Sequence, residues 1–262
     1  MFAQQIQSNN RKFSLYITIR SAKEKKFRVW AEEFQKRNSK YADREIVVRG
    51  ERTIHFNFPV SPQSLFIGVL NCENPGDTDY SVDLQERDLI TYNVWIDGET
   101  ADFLSLAVPF SQVAGFTPAT EAGRIWTTDD REFTIKYFNV IKDQKTGQAM
   151  NTPARIGHKT GIIETAKVKF DNYTIPMRLV ILLHEYSHKY RNPKIGLDIT
   201  DETGADINAL YIYLGLGFSK IDAICVFANV FLKAQTKGNI ERMRKIMDYI
   251  QKFENGEFAK RN

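Results

Sequence analysis

Cysteine is scarce in this chain: two in 262 residues, Cys72 and Cys225. They lie far apart and neither has a C-x-x-C partner, so free, buried thiols are expected and a disulfide framework is not. No apolar run reaches the length of a membrane-spanning helix. The opening Met1-Phe2-Ala3-Gln4-Gln5 lacks the basic segment and apolar run of a signal peptide. Charge of one sign is also lacking, since 36 Lys and Arg face 32 Asp and Glu. The basic residues form no concentrated block, which argues against a nucleic-acid face. Arg242, Arg244 and Lys245 read as a solvated helix face. The expectation is a soluble protein without membrane or nucleic-acid partners, working in the cytoplasm or inside a larger particle.

Histidine is scarcer than its chemistry would suggest, with four in the whole chain, and two of these fall in one motif. Ile181-Leu182-Leu183-His184-Glu185-Tyr186-Ser187-His188 reads H-E-x-x-H inside an apolar helical run. Positions i and i+4 share one face of a helix, one turn apart, so His184 and His188 can aim two imidazoles at one point. Neutral imidazole suits zinc, and a catalytic zinc takes three protein ligands and leaves one position open. Glu185, about 100° further round the helix, reaches a water at the metal instead of the metal itself, where a general base is needed. The third ligand comes from elsewhere. Glu202 follows fourteen residues after His188, beyond Arg191-Asn192-Pro193-Lys194-Ile195-Gly196, whose Pro and Gly should end the first helix soon after Tyr190. Thr200 or Asp201 then caps a second helix with Glu202 in its first turn. Asp206 falls one turn later on the same face, placed to accept the outer ring N–H of a ligating histidine.

This set of residues resembles the zincin metallopeptidases, and among them the gluzincins, whose third ligand is a glutamate and of which thermolysin is a familiar example. Their H-E-x-x-H followed by E-x-x-x-D falls on His184, Glu185, His188, Glu202 and Asp206. The resemblance implies zinc bound by His184, His188 and Glu202, Glu185 as base, and Asp206 orienting a histidine. It implies hydrolysis of a peptide or protein substrate. Thermolysin-like enzymes add a histidine from downstream to stabilise the oxyanion, but no histidine follows His188 here. His158, Tyr186, Tyr190, Arg191, Tyr211 and Tyr213 are the candidates for that task. A second reading is a structural protein, a virion or assembly component with its own assembly partner, whose zinc supports the fold or serves one maturation cleavage.

The rest of the chain predicts an α+β fold. A strand-rich region over 1–125 carries no catalytic motif, and a zincin-like domain over 126–262 has a mixed sheet, an active-site helix and C-terminal helices. Phe13, Leu15, Ile17 and Ile19 alternate with polar residues as in a half-buried strand. Ser21 with Glu24 forms a capping-box pattern ahead of a helical stripe of Phe27, Trp30, Ala31 and Phe34. Strands are expected at 45–49, 53–58, 65–71 and 88–96, with an exposed loop over 71–86 and an undecided apolar stretch at 101–116. Phe58, Phe66, Trp95, Phe103 and Phe110 read as core, and His55 as a surface residue. The pattern breaks at 117–132, and 133–141 is again a strand, followed by a turn at 142–147. Gly161–Val168 occupies the place where the resemblance to zincins implies a cleft-edge strand that pairs with an extended substrate; the alternative is a plain sheet strand. Pro176 suits the start of the active-site helix. Helices through Leu214, from Ser219 and from Asn239 complete the chain.

Overall fold

A computed structural model describes residues 1–34, 36, 38–190, 201–234 and 236–261. The chain is mixed α+β and separates into two compact units: Met1–Ile90 with Gly217–Ser219, and Thr91–Leu216 with Lys220–Asn262. The division thus falls at Ile90, earlier than the sequence break at 117–132. No described helix is long and apolar enough to cross a membrane.

The first unit is an antiparallel sheet of β1 (Phe2–Ile6), β2 (Phe13–Glu33), β3 (Lys40–Phe58), β4 (Leu65–Asn71) and β5 (Ser81–Arg87). β2 is its spine. β3 pairs along its length, while the other side takes β5 over Ser14–Arg20 and β4 over Phe27–Glu33. The helix expected from Ser21 onward is therefore a strand. Its buried face is Phe27, Val29 and Ala31, all fully buried, which continues Leu15, Ile17 and Ile19. Trp30 and Phe34 lie on the other face and pack against Phe66. The i, i+3, i+4, i+7 spacing arose by merging two strand faces, and Val29 was the residue that completed the alternation. Ser21 pairs with Gly50 and Lys25 with Val48, so β2 takes four steps where β3 takes two. The even insertion keeps odd positions on the core face. Gly50, at φ +76°, supplies the left-handed backbone at that shift, which is why 45–49 and 53–58 read as two strands although they are one.

β5 is a further correction, because it runs through the end of the expected loop over 71–86. With only Val82 and Leu84 as apolar residues, its alternation is too weak to read. The expected strand at 88–96 shrinks to β6 (Tyr92–Asn93). Phe58, Phe103 and Phe110 are core as expected, but Trp95 is partly exposed. The cysteines are free, yet Cys72 is exposed and Cys225 only partly covered.

The second unit begins with β6 and α1 (Gly98–Val113), which settles the undecided stretch. Asp97 caps α1 by accepting from the Thr100 amide. A mixed sheet follows in the order β7 (Arg124–Thr127), β8 (Thr134–Phe138), β10 (Ile163–Ala166), β9 (Ala154–Ile156), with β8 and β10 parallel. β10 is paired on both sides, so it is the plain interior strand of the two readings, and β9 is the edge. Then come α2 (Lys167–Phe170), α3 (Ile175–Ser187), α4 (Asp201–Gly215), α5 (Lys220–Val226), a π-helical turn (Phe227–Phe231), α6 (Lys237–Glu254) and β11 (Lys260–Arg261), which pairs with β6. α6 starts ahead of Asn239, because Thr236 is the cap and accepts from the Asn239 amide.

α3 is buried on all sides, as a helix apolar all round must be. α1, α4, α5, β9 and β10 pack about it. Thr174 and Pro176 begin it. Arg178, fully buried, donates to the carbonyls of Phe170 (3.1 Å), Ser111 (3.2 Å) and Asp171 (3.4 Å). Burial pulls its pKa down, but the three acceptors tie α3 to the ends of α1 and α2. Arg178→Met would strand the Ser111 and Asp171 carbonyls, at about 1–3 kcal/mol each, while the Phe170 carbonyl keeps the Tyr173 amide. Urea unfolding is expected to show a loss of about 3 kcal/mol or more. A loss under about 1 kcal/mol would mean the carbonyls find other partners.

Candidate metal centre

The two histidines of α3 meet as their spacing requires. His188 stands just past the last helical residue, but its φ −67° and ψ −24° keep it on the helical path. Its Nε2 lies 3.1 Å from Nε2 of His184, with the rings nearly perpendicular at 85°. Asn208 on α4 holds this end of α3, donating to Ser187 Oγ (2.9 Å) and the Tyr190 carbonyl (3.0 Å). The opposite side of α3 is anchored by Tyr186, whose hydroxyl pairs with Thr100 Oγ1 at 2.9 Å and whose ring stacks on Phe103.

Glu202, from α4, completes the group. Its carboxylate oxygens lie 3.7 Å from His184 Nε2 and 3.8 Å from His188 Nε2. One donor atom from each of the three lies within 4.8 Å of the others. The side chain of Glu202 is 55% exposed while His184 is 3% exposed, so the carboxylate marks the open side. The chain segment that carries α3 into α4 lies outside the described residues. So do the expected helix stop at 191–196, the cap at Thr200 and the candidate Arg191; of Asp201 only the backbone is described.

The donor set fits a metal ion. Burial first, and then the neighbouring His184, hold the His188 pKa below its usual value and favour the neutral ring a metal needs. Asp206 Oδ1 lies 2.9 Å from Nδ1 of His184, though the contact is not directed as a good hydrogen bond. This carboxylate leaves Nε2 as the nitrogen turned toward Glu202 and His188. Phe231, at the end of the π-helical turn, covers one face of His184 with ring centroids 3.9 Å apart.

Arg242 is the residue that sequence reading misplaced. The solvated face holds for Arg244, which is 75% exposed, but Arg242 is nearly buried. Its guanidinium takes both oxygens of Asp206, Nη2 at 2.9 Å and Nε closer still, and Nη2 reaches Glu202 at 3.1 Å. Burial alone would lower its pKa, but Asp206 and Glu202 outweigh this and raise it. Ile246, Tyr249, Ile250 and Phe253 bury the other turns of α6 on the same side, a stripe that in hindsight included Arg242.

Glu185 is buried, and burial pushes its carboxyl up to about 7. Glu202 adds to the rise, while His184 and a backbone hydrogen bond from Ile156 oppose it. Edge strand β9 therefore borders this carboxylate. The arrangement brings a metal-capable triad, a buried carboxyl pushed up to about 7 and the edge strand β9 to one place. The chain matches no protein-family model, no curated protein and no solved structure.

Proposed function

We propose that the chain is a zinc-dependent metallopeptidase. The observation that carries this reading is the convergence of His184, His188 and Glu202 within 4.8 Å, next to a buried Glu185. His184 and His188 supply imidazole nitrogens and Glu202 a carboxylate oxygen, the ligand types of a hydrolytic zinc site. Bound there, zinc supplies Lewis acidity toward a water and a carbonyl. Glu185 takes the proton from the attacking water and, as the C–N bond breaks, returns it to the leaving nitrogen. A pKa near 7 suits both transfers. Asp206 and Arg242 keep His184 and Glu202 in place. β9 offers an extended peptide a strand to pair with, beside Glu185.

Metal content of the purified chain tests this directly. Wild type is expected to hold about one zinc per chain and His188→Ala almost none, since two donors hold zinc poorly. Wild type that takes up no zinc when it is offered would end the metallopeptidase reading. The structural, assembly-component reading stands second. It is favoured by the first unit, which among its described residues has no metal-capable group.

A further inference from the structure

Three of the four histidines meet in one place. His158, exposed in the loop from β9 to β10, has its ring centroid 6.3 Å from that of His188, with the planes at 73°. The loop is built to hold it there. Gly161 donates to the Gly157 carbonyl at 2.7 Å, and Gly157 to that of Ile162 at 2.9 Å, closing a tight turn. Gly161, at φ +69°, lies so close to the residues after His188 that a Cβ would meet Lys189 Nζ at 2.8 Å. The turn carrying His158 thus lies against the Lys189 and Tyr190 side chains, just beyond His188.

We infer that His158 is a catalytic hydrogen-bond donor, aimed at the substrate carbonyl oxygen as that oxygen gains negative charge. The inference rests on the peptidase reading and extends it to a residue outside the triad. Distance separates a donor from a ligand: His184 and His188 have ring centroids 4.7 Å apart, while His158 stands farther out and outside the group that shares 4.8 Å. A donor to an oxygen held at the centre belongs one atomic layer beyond the ligands, at about 2.7–3.1 Å from that oxygen. Two of the tyrosines are otherwise engaged. Tyr186 is bonded to Thr100, and Tyr211 accepts from the Trp95 amide at 2.8 Å. Tyr190 stacks its ring on Tyr186 with its hydroxyl beside Gly161, and Tyr213 is fully buried. Arg242 directs its fork at Asp206 and Glu202.

The test compares zinc-loaded wild type, His158→Ala and His158→Gln. Random octapeptides are digested and read by mass spectrometry, and the best-cleaved sequence is then made as a phosphonamidate that mimics the tetrahedral state. His158→Ala is expected to keep its zinc and lose about 10²- to 10³-fold in kcat with little change in KM. Phosphonamidate affinity, by calorimetry, should fall by a comparable factor, and Gln, which keeps an N–H donor, should recover part of both. An active wild type with His158→Ala within about two-fold in kcat and phosphonamidate Kd overturns the inference alone. Loss of zinc from His158→Ala also overturns it, by making His158 a ligand. A zinc-loaded wild type that neither cleaves peptides nor binds any phosphonamidate overturns the peptidase reading, and the inference with it.

Discussion

Glu185→Gln is expected to keep about one zinc per chain and to lose about 10²- to 10⁴-fold in peptide hydrolysis. Glutamine matches the shape of the buried side chain and leaves the three donor groups untouched, so the metal should remain. What it cannot do is accept a proton from water. The carboxyl it replaces is held near neutrality by its surroundings, so it can both take and give a proton at ordinary pH. Atomic absorption and the octapeptide digest read the two halves of this expectation. Undiminished hydrolysis by a zinc-loaded Gln variant would remove Glu185 from the base role. A wild type that binds zinc, cleaves nothing and is matched by the variant in stability and assembly would favour the structural reading.

Arg242→Ala carries the largest expected cost to stability, about 3–5 kcal/mol. Asp206 is fully buried, and Arg242 is the cation that contacts both of its oxygens. With the guanidinium gone, a carboxylate in a dry setting is left beside a second carboxylate one helical turn away, at Glu202. A buried charge without its partner costs far more than the pair is worth. The double variant Arg242→Ala with Asp206→Asn should therefore recover part of the loss, and urea unfolding of the four proteins in the cycle measures the coupling. Zinc affinity is expected to fall by about 10- to 100-fold in the single variant, because the groups that orient His184 and Glu202 are loosened. Strict additivity in the cycle, with unchanged zinc affinity, would reduce Arg242 to a surface charge.

The metal-capable group was legible in the chain because its geometry is local. A four-residue spacing on a helix fixes which way His184 and His188 face, whatever surrounds them, and Glu202 and Asp206 obey the same rule on the next helix. The helices at 175–187, 201–215 and 220–226 were legible for the same reason, as were the strand beginning at Phe13 and the turn at 142–147. Tertiary structure alone decided the rest. Phe27, Val29 and Ala31 became a strand face because β3 and β4 lie on either side of them, and no local pattern states which neighbours a strand will find. β5 has too few apolar residues to announce itself, and β10 became interior only because β9 folded against it. Arg242 and His158 belong to the same class. Each is a polar residue whose surroundings are set by a partner far away in sequence: Arg242 by Asp206, and the proposed donor His158 by His188. Periodicity reports which way a side chain faces along its own element, whereas pairing and burial are set by the elements packed against it.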